Sequence, residues 1–309
     1  MMKHLIAAAL LVATTNAATA ADLAPVKLGI NKLGAMTNVV FASKTGIFKK
    51  HGLDLQIIEI PLSSQGLLIL KQGSVDIVLQ IPGTAFVAKE QGFDVALIGQ
   101  NETAGTKAPV SNAIMVPVDS TVKTIADLKG KRIAISSPRG QGFAAMKMLF
   151  QNAGIGIESA KLTEAPFTAI TDLLRTGQVD AAVALDPYTT QIIKAGYGRV
   201  LSFYMMETIP DQPVGSWWAM RSWAKAHTKE AGEFADAIKE SHDVLNADPE
   251  RARKEIADYS GLDPALVKDM PPIQWKSQVD PKIWQALADM MYQQGELTQK
   301  HTVSEYFVN

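Results

Sequence analysis

The stretch LKQGSVDI at residues 70–77 decides the fold, because a stretch of the same design, LRTGQVDA, recurs 104 residues later at residues 174–181. Each copy reads as the end of a helix, a glycine at its C-cap, a polar turn and the start of a buried strand. In both copies the apolar strand then runs into a proline, Pro82 or Pro187, and another helix follows. A repeated unit of this length predicts two similar lobes.

Strand and helix patterns alternate on both sides of the first copy. Helix patterns of about ten residues, several of them closed by glycine, separate the short apolar runs. These runs lie at residues 26–30, 55–60, 75–79 and 95–98. The same alternation restarts at residue 125. Strands that alternate with helices imply βαβ units, so the sequence predicts an α/β fold with a mainly parallel sheet in each lobe.

Two further apolar strands mark the lobe boundaries. Residues 112–116 and 213–220 are interpreted as crossing strands that join the lobes. Lobe 1 then comprises residues 22–111 together with 221–309, whose amphipathic helices are expected to pack on it. Lobe 2 comprises residues 117–212. The ligand cleft is expected between the two lobes.

The N-terminus has the three parts of a secretory signal. A basic start is followed by an apolar run at residues 5–13 and by small residues that end at Ala20. The apolar run is shorter than the roughly 20 residues that span a bilayer. We therefore expect a signal peptide over residues 1–20, cleaved before Ala21. The chain has no cysteine for a lipid anchor, which favours a free periplasmic protein.

Charge and residue content exclude several functional classes. The chain has 30 basic and 31 acidic side chains, a balance without the basic excess that nucleic acid requires. Without cysteine, thiolate metal sites and cysteine catalysis are excluded. The five histidines show no paired metal spacing, and no HExxH, GxSxG or P-loop motif occurs. We expect a monomer that is not an enzyme, with no catalytic residue, no metal, no cofactor and no nucleic-acid partner.

Five stretches together resemble one protein family, the nitrate/sulfonate/taurine-type periplasmic substrate-binding proteins of ABC transporters. They are TGIFKKHGLDL at 45–55, GSVD at 73–76, DLKGKR at 127–132, GQVDAA at 177–182 and DPY at 186–188. The resemblance covers about residues 26–245. It implies a type II periplasmic-binding fold that closes on one small solute. It also implies an inner-membrane ABC permease with its ATPase as partner.

Ligands of open parallel sheets bind outside the carboxyl ends of the strands, and this rule selects the strand-end loops of both lobes. In lobe 1 the candidate contacts are Asn31, Lys32, Met36, Ser63, Ser64, Gln80, Pro82, Gly83 and Thr84. In lobe 2 they are Ser136, Ser137, Arg139, Gly140, Gln141, Gly142, Phe167, Asp186 and Tyr188.

Two of these loops have the features of anion sites. Ser63-Ser64 and residues 136–142 each begin a helix with hydroxyls and free backbone amides. Helix N-termini carry partial positive charge and unpaired N–H groups. Arg139 adds a guanidinium that suits a carboxylate or a sulfonate. The alternative interpretations are plain N-capping by serine and a solvated arginine.

Aromatic residues near the same loops favour an organic solute over nitrate or bicarbonate. Besides Phe167 and Tyr188, the candidates are Trp217 and Trp218, which strand alternation points to opposite faces. One of the two is then free to meet the cleft while the other enters a core, although core is the commoner role for each. Asp186 either accepts from a ligand amine or caps the helix after Pro187.

The sequence therefore predicts the periplasmic solute-binding component of an ABC importer, specific for a small organic anion of the sulfonate or carboxylate type. Three alternatives stay open. The solute is a pyrimidine or another neutral or zwitterionic molecule. The protein serves a sensor or a TRAP-type system. The chain is a cofactor-free enzyme of the thiamine-precursor type.

Overall fold

The computed structural model describes residues 23–60 and 65–307. The predicted signal peptide and its cleavage site lie outside these residues, and so do Ser63 and Ser64. Within the described ranges, no helix is both long and apolar enough to cross a membrane.

The described part of the chain alternates strands and helices. The strands are β1 (Ala24–Ile30), β2 (Leu53–Glu59), β3 (Ile77–Gln80), β4 (Val95–Thr103), β5 (Ala113–Pro117), β6 (Arg132–Ile135), β7 (Lys161–Glu164), β8 (Ala181–Ala184), β9 (Gly198–Ser202) and β10 (Pro213–Met220). The helices before β10 are α1 (Thr37–Lys44), α2 (Ile47–Lys50), α3 (Gly66–Lys71), α4 (Pro82–Glu90), α5 (Gln141–Asn152), α6 (Phe167–Arg175), α7 (Tyr188–Lys194) and α8 (Tyr204–Thr208). The helices after β10 are α9 (Arg221–Ala226), α10 (Thr228–Ala247), α11 (Pro249–Ser260), α12 (Pro264–Asp269) and α13 (Pro281–Gln293).

The strands form two sheets of the same design. In the first, with strand order β2-β1-β3-β10-β4, the strands β1, β2 and β3 pair in parallel and β10 is antiparallel to β3 and β4. In the second, with order β7-β6-β8-β5-β9, the strands β6, β7 and β8 pair in parallel and β5 is antiparallel to β8 and β9. The predicted α/β fold with two similar lobes is confirmed.

The repeated stretch has the same structural role in both lobes. Its glycines, Gly73 and Gly177, have φ of 73° and 68°, the left-handed conformation that favours glycine after a helix. Its aspartates accept hydrogen bonds from β1 in the first sheet and from β6 in the second. Asp76 Oδ2 accepts from the Lys27 N–H and Asp180 Oδ2 from the Arg132 N–H, both at 2.8 Å.

The two segments predicted as crossing strands are members of the sheets. Residues 113–117 form β5 inside the second sheet, and residues 213–220 form β10 between β3 and β4 of the first. The chain therefore passes from the first sheet to the second after β4, and it returns between β9 and β10. The two connections between the sheets are the segments that precede β5 and β10.

Alternation along β10 places two tryptophans in two different cores. Trp217 packs edge-on against Phe234 of α10, with ring centroids 5.4 Å apart. Trp218 packs against Trp284 of α13, with centroids 6.0 Å apart. The core that contains Trp218 continues into the second lobe through α5, including Phe143. Helices from the C-terminal part of the chain thus cover both faces of the first sheet.

Candidate functional site

The strand-end loops of the two lobes meet at Gln141, the first residue of α5. Its Oε1 accepts a hydrogen bond from the backbone N–H of Gly83 at 3.2 Å, and its Nε2 donates to the carbonyl of Pro213 at 2.7 Å. A Cβ built on Gly83 would lie 3.0 Å from the Cβ of Gln141, so a glycine permits this approach. The loops after β3 and β6 therefore touch. We call the carboxyl ends of the parallel strands, with the loops that follow them, the lobe-facing edges.

A carboxylate of the chain itself already occupies part of the predicted anion loop at residues 136–142. The Gly140 N–H donates to Glu296 Oε2 at 2.7 Å, and Lys147 Nζ contacts Glu296 Oε1 at 2.6 Å. Glu296 follows α13, so this ion pair joins the lobes. Gly142 packs closely against Tyr204, whose hydroxyl oxygen would lie 3.2 Å from a Cβ built on the glycine. In this structure, Gly140 and Gln141 hold the lobes together.

The remaining polar side chains of that loop stay candidates for an anion. Ser137 and Arg139 are exposed and Ser136 is half-buried. The Ser137 hydroxyl donates to the Arg139 carbonyl at 3.4 Å. Among residues 23–60 and 65–307, the Arg139 guanidinium has no ion-pair partner. Its charge is therefore available to a solute.

Phe167 and Tyr188 lie side by side. Each is the first residue of its helix, α6 or α7, and each is half-buried. Their rings stack with centroids 6.2 Å apart and an interplanar angle of 18°. The stacked pair places two half-buried aromatic rings in the regions that follow β7 and β8, on either side of the predicted anion loop in the strand order.

Trp217, Trp218 and Met36 do not belong to the candidate contacts. All three are 0% exposed, and each side chain is part of a hydrophobic core. The expectation that one tryptophan meets the cleft is wrong for this structure, because helices cover β10 on both faces.

Asp186 caps the helix that it precedes. Its Oδ1 accepts hydrogen bonds from the Thr189 and Thr190 hydroxyls at 2.6 and 2.5 Å, and from the Thr190 N–H at 3.1 Å. Burial raises the pKa of this carboxyl above its usual range, although these hydrogen bonds oppose the shift. Its Oδ2 is buried and has no hydrogen-bond partner within the described residues. The geometry agrees with the capping interpretation and leaves one oxygen unused.

The loop after β1 is the first of the lobe 1 candidates. Asn31 Nδ2 donates to the Ile60 carbonyl at 3.1 Å, which ties the loop to the end of β2. Lys32 is exposed and has no ion-pair partner in the described part of the chain. Of the two, Lys32 has its charged group available to a solute.

The loop after β3 contains the other lobe 1 candidates. Gln80 is buried, and its carbonyl accepts from the Ser216 hydroxyl at 3.1 Å. Pro82 is buried at the first position of α4, where its missing N–H costs nothing. Thr84 is exposed.

A buried polar network lies beneath the loop after β1. Asn101 Nδ2 donates to the Ala35 carbonyl at 3.3 Å, and Asn38 Nδ2 donates to Asn101 Oδ1 at 2.9 Å. His242 Nε2 lies 2.9 Å from Asn38 Nδ2 and accepts from it. Burial lowers the pKa of His242 to about 3, so the ring is neutral at pH 7. This network fixes the loop against α10.

Glu102 is not among the candidate contacts that the sequence predicts. It lies near the carboxyl end of β4, one residue beyond Asn101, and burial raises its pKa to about 7. The strand-end rule singles out such a position, but the expected fourth strand ended at Ile98, whereas β4 continues to Thr103.

A cavity of about 310 Å³ lies between the two lobes, with residues of α7 on one side and residues at the end of α12 on the other. Asp186, Phe203 and Pro271 are among its lining residues. Two other lining residues, Lys194 and Asp269, form an ion pair across the lobes, with Lys194 Nζ 2.5 Å from the carboxylate. The lobes are therefore in contact at more than one place.

The sequence matches the model of the NMT1-like family over residues 19–260. The chain belongs to this family. Among curated relatives, a putative aliphatic sulfonates-binding protein of Escherichia coli K12 is 28% identical over 207 residues. That match covers 65% of this chain and 62% of the E. coli protein, which is less than two thirds of its length. A putative thiamine biosynthesis protein of Haemophilus influenzae is 22% identical over 287 residues, covering 87% of this chain and 86% of that protein.

The fold of this NMT1-like chain is also that of a solved structure. The periplasmic aliphatic sulphonate-binding protein of Escherichia coli superposes with a TM-score of 0.78 at 20% identity, covering 92% of this chain and 97% of that one. The predicted periplasmic-binding fold and the resemblance seen in the sequence are confirmed.

Proposed function

We propose that this chain is the periplasmic solute-binding component of an ABC importer. It captures a small organic anion of the sulfonate or carboxylate type and delivers it to an inner-membrane permease with its ATPase. The family and the binding proteins named above support a solute-binding role without catalysis. Export would follow from the signal peptide over residues 1–20, and the mature chain would act as a monomer.

The observation that carries this proposal is the arrangement of the second lobe's edge. In its sheet, β6 lies between β7 and β8, so the loop after β6 lies between the loops that follow those strands. Neighbouring strands are about 4.8 Å apart. Arg139 therefore belongs to the loop flanked by those of Phe167 and Tyr188. A guanidinium next to a flat aromatic pair suits a molecule with an anionic end and an organic body.

A thermal-shift screen tests the proposal. Its panel holds nitrate, bicarbonate, taurine, alkanesulfonates, aromatic acids and pyrimidines. A solute at about 100 times its dissociation constant adds roughly 2.7 kcal/mol of stability, which raises the midpoint by about 5 °C in a chain of this size. We expect organic sulfonates or carboxylates to raise the midpoint. A screen in which only neutral or cationic solutes do so would contradict an organic-anion binder.

Arg139→Ala tests the residue that would hold the anion. A charge-assisted contact contributes about 1.5–3 kcal/mol, so the variant should bind the best anion of the screen at least tenfold more weakly. Lys129→Ala is the matched control, because Lys129 is also an exposed cation of lobe 2 but precedes β6. Equal affinities of the two variants would remove Arg139 from the site.

A pyrimidine is the second candidate solute. The stacked pair of Phe167 and Tyr188 offers a surface on which an aromatic ring can stack, and the Haemophilus relative bears a thiamine biosynthesis name. Under this alternative, pyrimidines raise the midpoint in the same screen, and Tyr188→Ala abolishes that effect while Arg139→Ala preserves it.

A further inference from the structure

Glu102 and the loop after β1 both contact the segment of the chain that contains Trp275. Residues directly opposite on antiparallel strands point their side chains to the same face. Glu102 lies opposite Gly215 of β10 and forms an antiparallel bridge with Trp275 on its other side. The Trp275 ring donates to the carbonyl of Ala35 at 3.0 Å. The carboxyl of Glu102 is therefore on the face of the sheet that carries the candidate loop.

The space for this carboxyl is made by a glycine. A Cβ built on Gly215 would lie 3.1 Å from Glu102 Cγ and 3.4 Å from its Oε1. Any side chain at residue 215 would press on the carboxyl. Gly215 is also only two residues from Pro213, whose carbonyl accepts the hydrogen bond from Gln141 of the second lobe. Because Pro213 pairs with Thr103, the residue after Glu102, the strand register brings the carboxyl close to the point where the lobes meet.

Within the described residues the carboxyl of Glu102 has no partner, whereas its neighbours do. Gln100 Oε1 accepts from Trp284 Nε1 at 2.8 Å, and the Thr103 hydroxyl donates to Asp211 Oδ1 at 2.7 Å. Lys276, the nearest cation along the adjoining segment, forms an ion pair with Asp211. Among residues 23–60 and 65–307, no hydrogen bond or ion pair reaches the side chain of Glu102, which is half-buried.

The raised pKa of Glu102 comes from burial and not from a neighbouring charge. Burial alone raises its pKa to about 7. Behind Asn101 the imidazole of His242 is neutral, Lys32 is exposed on the loop after β1, and Lys276 is paired with Asp211. Among the described residues of lobe 1, no cation forms an ion pair with this carboxyl. A partly buried acid without a partner costs stability, and a cationic group that approaches it relieves that cost.

We propose, on the basis of the solute-binding role above, that Glu102 binds a protonated amine of the solute, so that the preferred solute is zwitterionic. Its sulfonate or carboxylate end would meet Arg139 of lobe 2, and its ammonium would meet Glu102 of lobe 1. An ammonium supplies a full positive charge and three N–H donors, which match an ionised carboxylate. Such a solute would bridge the two lobes, because its anionic end pairs with a residue of lobe 2 and its ammonium with a residue of lobe 1.

Paired solutes that differ only in the ammonium group test this assignment. Taurine and ethanesulfonate form one pair, and β-alanine and propionate form the other. Isothermal titration of the purified chain at pH 7.5 should show at least one amine-bearing member binding tenfold or more tightly than its partner. Glu102→Gln keeps the size of the side chain and should reduce that preference to less than threefold. Glu250→Gln, an exposed acid of lobe 1, should leave the preference unchanged.

The outcomes separate this inference from the proposed function. Binding of ethanesulfonate or propionate as tightly as its amine-bearing partner would overturn the role of Glu102 and leave an organic-anion binder. A preference that survives in Glu102→Gln would overturn it too. Failure of all four solutes to bind would count against the organic-anion function and the inference together.

Proton release supplies a readout that needs no variant. At pH 7 the empty site holds about half a proton on a group with pKa near 7, and an ammonium expels it. Titration of the better amine-bearing solute in buffers of different ionisation enthalpy should therefore show release of about half a proton. Proton uptake would mean that protonated Glu102 donates to an anion, and it would refute the assignment.

Discussion

Replacing Glu102 by glutamine should change the pH dependence of stability in the absence of any solute. Burial raises the pKa of Glu102 from 4.5 to about 7. Between these values the folded protein holds more protons than the unfolded chain, so the free energy of unfolding falls as the pH rises through this window. Glutamine cannot ionise, so Glu102→Gln removes this loss.

The magnitude follows from the pKa difference. Each pKa unit corresponds to about 1.4 kcal/mol, which gives about 3 kcal/mol between pH 4.5 and pH 7. Because the side chain is only half-buried, solvent screening reduces this to about 2 kcal/mol. The variant should therefore match the native chain at pH 4.5 and exceed its free energy of unfolding by about 2 kcal/mol at pH 8.

Denaturant titrations at half-unit pH intervals between 4.5 and 8 measure this difference. Glu250→Gln is the control, since Glu250 is exposed on the surface of α11. Its difference from the native chain should not change over the same range. Parallel stability curves for the native chain and Glu102→Gln would refute the reasoning, because they would mean that the carboxyl ionises as freely as in the unfolded chain.

Two further variants test the packing of the lobes. Gln141→Ala removes the hydrogen bonds to Gly83 and Pro213, and the free energy of unfolding should fall by about 2 kcal/mol in denaturant titration; an unchanged value would mean that this contact does not hold the lobes together. Trp218→Phe should lower stability by about 1–3 kcal/mol yet alter solute affinity less than twofold in calorimetry, because the ring is 0% exposed. A large loss of solute affinity without a loss of stability would indicate that Trp218 contacts the solute.

The fold followed from the sequence because local signals and topology agreed. The repeat contains a glycine that ends a helix and an aspartate that binds the neighbouring strand. Asp76 and Asp180 receive equivalent backbone hydrogen bonds in the two lobes. Because the aspartate of each copy accepts a hydrogen bond from a neighbouring strand, each copy specifies one strand contact. Two copies therefore indicate two sheets. The apolar segments at residues 113–117 and 213–220 lack a marker of this kind, and hydrophobicity alone did not reveal which sheet each joins.

The candidate site was less predictable because distant segments complete it. Trp217 and Trp218 were expected to differ in exposure, but α10 and α13 bury both, and the pattern of β10 contains no information about those helices. The amides at the start of α5 were expected to be open to a solute. Glu296 lies 156 residues further along the chain, and only the tertiary structure shows that its carboxylate meets Gly140.

The position of Glu296 also bears on the charge of the solute. A carboxylate of the chain, held by Lys147 and the Gly140 N–H, already lies at the start of α5, which leaves the Arg139 guanidinium as the charged group of this loop for the anionic end of a solute. Arg139 lies in the same loop and attracts the anion, while Glu102 of lobe 1 has no cationic partner within the described residues. A solute with one charge of each sign satisfies Arg139 and Glu102 together, whereas a simple anion satisfies Arg139 and leaves the acid of lobe 1 unpaired. The balance of charges at the lobe-facing edges therefore favours a zwitterion over a simple anion of the same size.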